Sequence, residues 1–93
     1  MMKKAELREL ENDIEEALDG MDYEIPYDTE SYIETKDGVR YGICEVTFDV
    51  TSFDDSIPDN WDEDAENVVA DAVREWGGSY YWEDHSIIVS VRS

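Results

Sequence analysis

The chain has 93 residues, of which 26 are Asp or Glu and 7 are Lys or Arg, so its formal net charge is −19. Hydrophobic residues make up 41% of the chain and aromatic residues 12%, which is typical of a folded domain and too much for a disordered acidic tail. Phosphate groups are bound by Lys and Arg, so the scarcity of these residues argues against direct binding to nucleic acid or to an anionic membrane. We therefore expect residues 1–93 to form a single compact acidic domain.

The first predicted element is an amphipathic helix over residues 3–19. Its apolar residues recur at intervals of three and four and form one stripe, which consists of Leu7, Leu10, Ile14, Ala17 and Met21. Gly20 is expected to end the helix. Acidic side chains cover the remaining faces and crowd the C-terminal turn, where the helix dipole disfavours negative charge. A surface selected for stability alone would not carry them there.

A β-hairpin is predicted next, because Asp37-Gly38 is a strong signal for a two-residue turn between two alternating runs. In the first run, residues 22–34, the acids fall at even positions and most apolar residues at odd positions, as in a strand with one solvated face. Pro26 favours an edge strand or a bulge within this run. The second run, residues 39–50, alternates in the same way.

The register of this hairpin follows from the length of its turn. Counting outward from a two-residue loop places Tyr27 opposite Phe48, and the apolar sets of the two strands then meet on one face. A slip of one residue would separate them. On the other face Glu30 is expected opposite Glu45, which is an unfavourable pairing of like charges.

The second half of the chain repeats the order of helix and hairpin. A helix is predicted from the cap residue Asn60, paired with Glu63 in a capping-box-like arrangement, to about Trp76. A hairpin with its turn at Glu83-Asp84 follows. The order αββαββ predicts an α+β domain of two layers, in which two helices pack on one face of a four-stranded antiparallel sheet built from two hairpins. The order of the hairpins in the sheet stays open.

No catalytic constellation emerges from the sequence. The single histidine, His85, lies in a predicted turn, and the single cysteine, Cys44, falls on the predicted core face. One histidine and one cysteine are too few for a zinc site, and the acidic run from Asp62 lacks the glycine and the final glutamate of a calcium loop. We expect a protein that is not an enzyme and holds no metal or cofactor. The lone cysteine and the lack of a signal peptide or of an apolar run of about 18 residues favour a cytoplasmic protein without a membrane span.

Three groups of residues are candidates for binding a protein partner. The first is a row of acids expected on the solvated strand face, namely Asp22, Glu24, Asp28, Glu30 and Glu34. The second is the acidic face of the first helix, with Glu9, Asp13 and Glu16. The third is an apolar cluster expected to be exposed on the outer face of the first hairpin, with Tyr32, Tyr41 and Ile43. Acids at every second strand position are about 6.8 Å apart, a spacing at which carboxylates can occupy successive phosphate sites of a basic protein.

The leading hypothesis is a non-enzymatic inhibitor or adaptor that binds a basic, nucleic-acid-handling protein by imitating the charge of the nucleic acid. Proteins of phages and other mobile elements that block restriction or CRISPR nucleases are similar in size and acidity, which is a likeness of composition without a shared motif. Two alternatives stay open. The acids can form a generic or halophile-type solvated surface, or they can belong to an antitoxin-like adaptor that neutralises a basic partner without copying DNA. A homodimer through the outer hairpin face is also compatible with the sequence.

Overall fold

The computed structural model describes residues 4–92 and confirms the predicted order of two helices and four strands. The elements are α1 (Lys4–Asp19), β1 (Tyr27–Lys36), β2 (Val39–Phe48), α2 (Trp61–Glu75), β3 (Ser79–Glu83) and β4 (Ser86–Arg92), with a short 3-10 helix at Val50–Ser52. The predicted helix start at Lys3 lies outside the described residues. Both helices pack against the sheet around one shared core, so the fold is the expected two-layer α+β arrangement.

The four strands form one antiparallel sheet in the order β1-β2-β4-β3. Within the first hairpin the predicted register is confirmed, with Tyr27 opposite Phe48 and Glu30 opposite Glu45. Both residues of its turn have positive φ, 53° and 79°, as the mirror-image turns that suit the twist of a hairpin require. The pairing of β2 with β4 joins the two hairpins and leaves β1 and β3 as the edges of the sheet.

The prediction of a strand that starts at residue 22 was wrong, because β1 begins at Tyr27. Asp22 and Glu24 therefore belong to the connection between α1 and β1. The alternation in this segment reflects burial rather than strand pairing, since Tyr23 and Ile25 turn towards the core while Asp22 and Glu24 are exposed. β2 ends at Phe48, and the chain then forms the 3-10 helix, so residues 22–26 have no neighbouring strand to pair with.

The core lies between the helices and the inner face of the sheet. From α1 it takes Leu7, Leu10, Ile14 and Leu18. From α2 it takes Ala65, Val69, Ala72 and Val73. From the sheet it takes Cys44, Val46, Phe48, Ile87, Val89 and Val91. Ala17 and Met21 were predicted as part of the apolar stripe of this helix, but they are half-buried at the margin of the core. Leu18 is buried instead.

The strand that faces α1 meets it with short polar side chains. The single hydroxyl proton of Thr29 is shared between the carboxylates of Glu15 and Glu11, which lie 2.7 Å and 3.0 Å from Oγ1. Ser31 Oγ also donates to Glu11. These contacts show that α1 runs antiparallel to β1. Its N-terminal half therefore lies on the side of the β1–β2 turn, and its C-terminal half lies at the opposite end of the molecule.

The termini of α2 and the second turn differ in detail from the prediction. Asn60 is the N-cap residue, but its side chain makes no capping hydrogen bond, so the capping box predicted with Glu63 does not form. Gly77 follows the helix with a φ of 68°, as expected of a glycine that ends a helix. The pairing of β3 with β4 leaves Asp84-His85 as the two-residue turn, one position later than predicted.

Candidate protein-binding surface

The outer face of the sheet points away from both helices, and no other element within residues 4–92 covers it. The strand register arranges its side chains in rows that run from β1 across β2 and β4 to β3. The rows are Asp28–Thr47–Ser86–Glu83, Glu30–Glu45–Ile88–Tyr81, Tyr32–Ile43–Ser90–Ser79 and Glu34–Tyr41–Arg92. Three acids, Asp28, Glu30 and Glu34, therefore stand along the β1 edge with Tyr32 among them, and aromatic and aliphatic side chains extend from Tyr32 across the sheet to Tyr81 on β3.

An aromatic and aliphatic patch occupies the middle of this outer face. Tyr32 and Tyr81 are its most exposed members, with 39% and 56% of their surface accessible. Together with Tyr41 they surround a shallow depression above Ile43 and Ile88, each of which is only 5% exposed. These two isoleucines lie outside the main core. We call the depression formed by these five residues the tyrosine trough.

The structure brings the predicted cluster of Tyr32, Tyr41 and Ile43 together but corrects its character. Ile43 is buried and Tyr41 is half-buried, so the expectation that the cluster is exposed was wrong for these two residues, whereas Tyr32 is exposed. The neighbouring tyrosines cover the isoleucine because they stand beside it in the register. The sequence reasoning missed Tyr81 and Ile88. Strand alternation could have assigned both to the outer face, but only the pairing of β2 with β4 brings them next to the first hairpin.

Tyr32 is held by the acids around it. Partial burial, a hydrogen bond to the Glu45 carboxylate and the negative charges of Glu45 and Glu34 raise the pKa of Tyr32 to about 12. Its hydroxyl group therefore stays a neutral donor. Glu30 lies directly opposite Glu45, so two carboxylates stand side by side in a row that contains no base. Such a pair destabilises a sheet by a few tenths to about 1 kcal/mol.

The predicted acidic rows do not form one surface. Asp28, Glu30 and Glu34 share the outer sheet face, whereas Glu9 and Glu16 are exposed on the helix layer at the other side of the molecule. The third helix acid differs from both groups. Asp13 is half-buried and accepts a hydrogen bond of 2.8 Å from Trp76 Nε1, which ties α1 to the end of α2.

Other acids anchor aromatic side chains of the core margin. The Tyr23 hydroxyl group donates to Asp64 at 2.5 Å, and burial together with this bond raises the pKa of Tyr23 to about 12. Glu66 accepts from Trp82 Nε1 at 2.5 Å and from the Tyr80 hydroxyl group at 3.2 Å. Part of the acidity therefore serves the fold. Composition alone does not reveal this, because the donors and acceptors are far apart in the chain.

The tertiary structure separates the charges along the length of the molecule. The end opposite the β1–β2 turn, which we call the acidic end, is built from residues 15–28, 47–66 and 81–87. These segments contain 16 acidic residues and no Lys or Arg. The Lys and Arg residues that the structure describes all lie in the other half, and they are Lys4, Arg8, Lys36, Arg40, Arg74 and Arg92. The acidic end therefore has no Lys or Arg of its own to neutralise it.

The described part of the chain contains no metal-binding cluster, and its single cysteine is not activated as a nucleophile. Cys44 is fully buried, and this burial raises the pKa of its thiol to about 12, so the thiolate that a nucleophile needs does not form near neutral pH. His85 is exposed in the second turn. Between residues 4 and 92 no group of three or more Asp, Glu, His or Cys side chains could hold a metal ion. No helix in the same range is long and apolar enough to cross a membrane.

Comparisons with protein-family models, with curated proteins and with solved structures find no match for this chain. Its surface is therefore the basis for assigning a function.

Proposed function

We propose that this protein is a non-enzymatic inhibitor or adaptor that binds a basic, nucleic-acid-handling protein by imitating the charge of a nucleic acid. The observation that carries the proposal is the acidic end, where 16 acids and no Lys or Arg are gathered. A groove that holds phosphates is lined with Lys and Arg and is complementary to such a surface. Inhibition of a restriction or CRISPR nuclease is one role of this kind.

The linear density of charge supports imitation of a duplex. The molecule extends 45 × 22 × 18 Å along its principal axes. A net charge of −19 over 45 Å is one negative charge per about 2.4 Å. Duplex DNA carries one negative charge per about 1.7 Å of its axis. A groove that neutralises phosphates would thus meet a similar density of charge.

The tyrosine trough adds what charge alone does not supply. Charge complementarity steers two proteins together and raises the association rate, whereas well-packed aromatic contacts account for most of the affinity of an interface. The trough borders the acidic end, because Tyr81 belongs to both, and the Glu30–Glu45 pair lies in the same row as Tyr81. The same face therefore combines carboxylates with aromatic side chains.

The proposal is tested with two variants of equal charge. The acidic-end variant combines Asp22→Asn, Glu24→Gln, Asp28→Asn and Asp59→Asn. The matched control combines Glu6→Gln, Glu9→Gln, Asp37→Asn and Glu75→Gln. All eight residues are exposed, so both variants are expected to fold. Tagged wild type and both variants are used to recover partners from a nuclease-treated lysate, and duplex DNA or RNA is then added as a competitor.

The outcomes separate the proposal from its alternatives. Mimicry is supported if one basic nucleic-acid-binding protein dominates the recovered partners. The wild type and the control should retain this protein, the acidic-end variant should lose it, and added nucleic acid should displace it. A partner that nucleic acid does not displace indicates an antitoxin-like adaptor instead. A broad set of basic proteins, recovered equally by all three forms, indicates a solvated surface. A chain that is unfolded in dilute buffer and folds only towards molar salt indicates a halophile-type surface.

A further inference from the structure

We infer that the tyrosine trough is a docking site for an arginine side chain of the basic partner. This inference rests on the proposed function and names the chemistry that the partner must present. The acidic end accounts for attraction to any basic protein. The trough accounts for a preference among basic proteins, because it favours the side chain of arginine over that of lysine.

The shape and lining of the trough favour a planar cation. Tyr32 and Tyr81 flank it from the two edge strands, and Ser79 and Ser90 are too small to fill the space between the rings. A guanidinium group is planar and weakly hydrated and stacks on aromatic rings, whereas the ammonium group of lysine is compact and strongly hydrated. The two buried isoleucines beneath offer an aliphatic floor for the stem of the side chain.

The charges around the trough fit a cationic occupant. Glu34 and Lys36 both line it, Glu30 and Glu45 stand in the row of Ile88, and Arg92 stands in the row of Tyr41, so the acids outnumber the bases by three to two. Glu45 accepts a hydrogen bond from the Tyr32 hydroxyl group. A carboxylate has about four acceptor positions, so this one keeps capacity for a guanidinium donor.

A second copy of this chain fits the trough less well than a basic partner does. A twofold contact uses the same patch on both subunits, so one centred on the trough gathers the Glu30–Glu45 pairs of both copies in one interface. Each copy also carries a net charge of −19, which opposes association. An arginine side chain of a basic partner, in contrast, brings a positive charge to the negative charges of the Glu30–Glu45 pair.

The test compares nona-arginine with nona-lysine as fluorescently labelled probes. Each peptide is titrated against the full chain at about 0.15 M salt, where long-range attraction is largely screened. The two peptides have the same charge, but arginine also pairs with carboxylates in a bidentate way, so only a preference that depends on the two tyrosine rings is assigned to the trough. Stacking of guanidinium groups on two exposed tyrosine rings predicts that nona-arginine binds about tenfold tighter.

Three double variants locate the preference. Tyr32→Ser with Tyr81→Ser is expected to lower the affinity for nona-arginine about tenfold, to the level of nona-lysine, and to leave nona-lysine binding unchanged. Tyr32→Phe with Tyr81→Phe keeps the rings and is expected to keep the preference. Glu9→Gln with Glu16→Gln removes charge from the helix layer and is expected to weaken both peptides by the same factor. Thermal unfolding of each variant checks that it folds.

Every result decides the inference. A preference for nona-arginine that the serine variant loses and the phenylalanine variant keeps supports the trough as the site. Equal, salt-dependent binding of both peptides overturns the inference and leaves the charge-based function standing. If neither peptide binds, both the inference and the charge-based function are overturned. A preference that survives in the serine variant, or a wild-type dimer in sedimentation that this variant abolishes, shows that another occupant or another site is involved and also overturns it.

Discussion

Replacing Glu30 with lysine is expected to stabilise the fold while weakening the binding of a basic partner. Glu30 lies directly opposite Glu45 on the outer face of the sheet, and it is exposed. The substitution turns a repulsive cross-strand pair into an attractive one. Stability and binding then change in opposite directions, which is the signature expected of an acid that serves an interface rather than the fold.

The size of the gain follows from the register. Directly opposite residues have Cβ atoms about 5 Å apart, so the two charges are about 5.5 Å apart. In water this separation gives about 0.75 kcal/mol, which screening at about 0.15 M salt halves. Changing repulsion into attraction doubles the remainder, so the free energy of unfolding should rise by about 0.8 kcal/mol. For a domain of this size the midpoint of thermal unfolding should rise by about 3–6 °C.

The matched control is Glu34→Lys, the same exchange on the same strand and the same face. Glu34 lies opposite Tyr41 and two residues before Lys36, so the new lysine meets no carboxylate across the strand and lies about 6.8 Å from another base. This variant should gain no stability. Both variants change the net charge equally, and both are expected to weaken binding to nona-arginine.

The assay is thermal and urea unfolding followed by circular dichroism at several salt concentrations. The gain of Glu30→Lys should shrink to about 0.2 kcal/mol at about 1 M salt, where the screening length is about 3 Å. The reasoning fails if Glu30→Lys does not stabilise the chain, if its gain is independent of salt, or if the control gains as much.

Three further predictions address the core and its anchors. The Cys44 thiol, whose pKa burial raises from 9.0 to about 12, should react with a thiol reagent at pH 8 about 1,000-fold more slowly in the folded than in the unfolded chain. Because the pKa of this thiol is higher in the folded than in the unfolded chain, its contribution to stability is complete below pH 9 and is lost as pH rises towards 12. Between these pH values the free energy of unfolding should therefore fall less in Cys44→Ala than in the wild type. Gly78→Ala should lower the free energy of unfolding by about 1–3 kcal/mol in urea, because the new Cβ atom would lie 2.7 Å from the Ser90 carbonyl oxygen. Asp13→Ala should cost about 1–2 kcal/mol and shift the fluorescence of Trp76, whose indole N–H loses its acceptor, and an unchanged spectrum would contradict this role.

The first hairpin was predictable because its determinants are local. A turn of two residues with positive φ and a period of two in the flanking runs define both the strands and their register. The same period misled at Asp22 and Glu24, because alternating burial also occurs in an extended segment that has no neighbouring strand. The capping box at Asn60 failed for a related reason, since the residue types allow the side-chain bond without requiring it.

The candidate site was predictable only in its parts. Tyr32 and the acids of β1 could be assigned to the outer face from alternation alone. Tyr81 could be assigned to the same kind of face in the second hairpin, but its distance from the first hairpin depends on which strands pair. The bond from Trp76 to Asp13 joins residues 63 positions apart, and no pattern along the chain records it.

By itself the sequence determined the net charge, the order αββαββ and the register of the first hairpin. These properties depend on composition, on the periods of helix and strand and on the geometry of a short turn, all of which are local. Only the tertiary structure decided that β2 pairs with β4, that 16 acids and no Lys or Arg gather at one end, and that three tyrosines surround one trough. Those features arise from contacts between segments distant in the chain, and the packing of the whole domain, rather than any local preference, selects them.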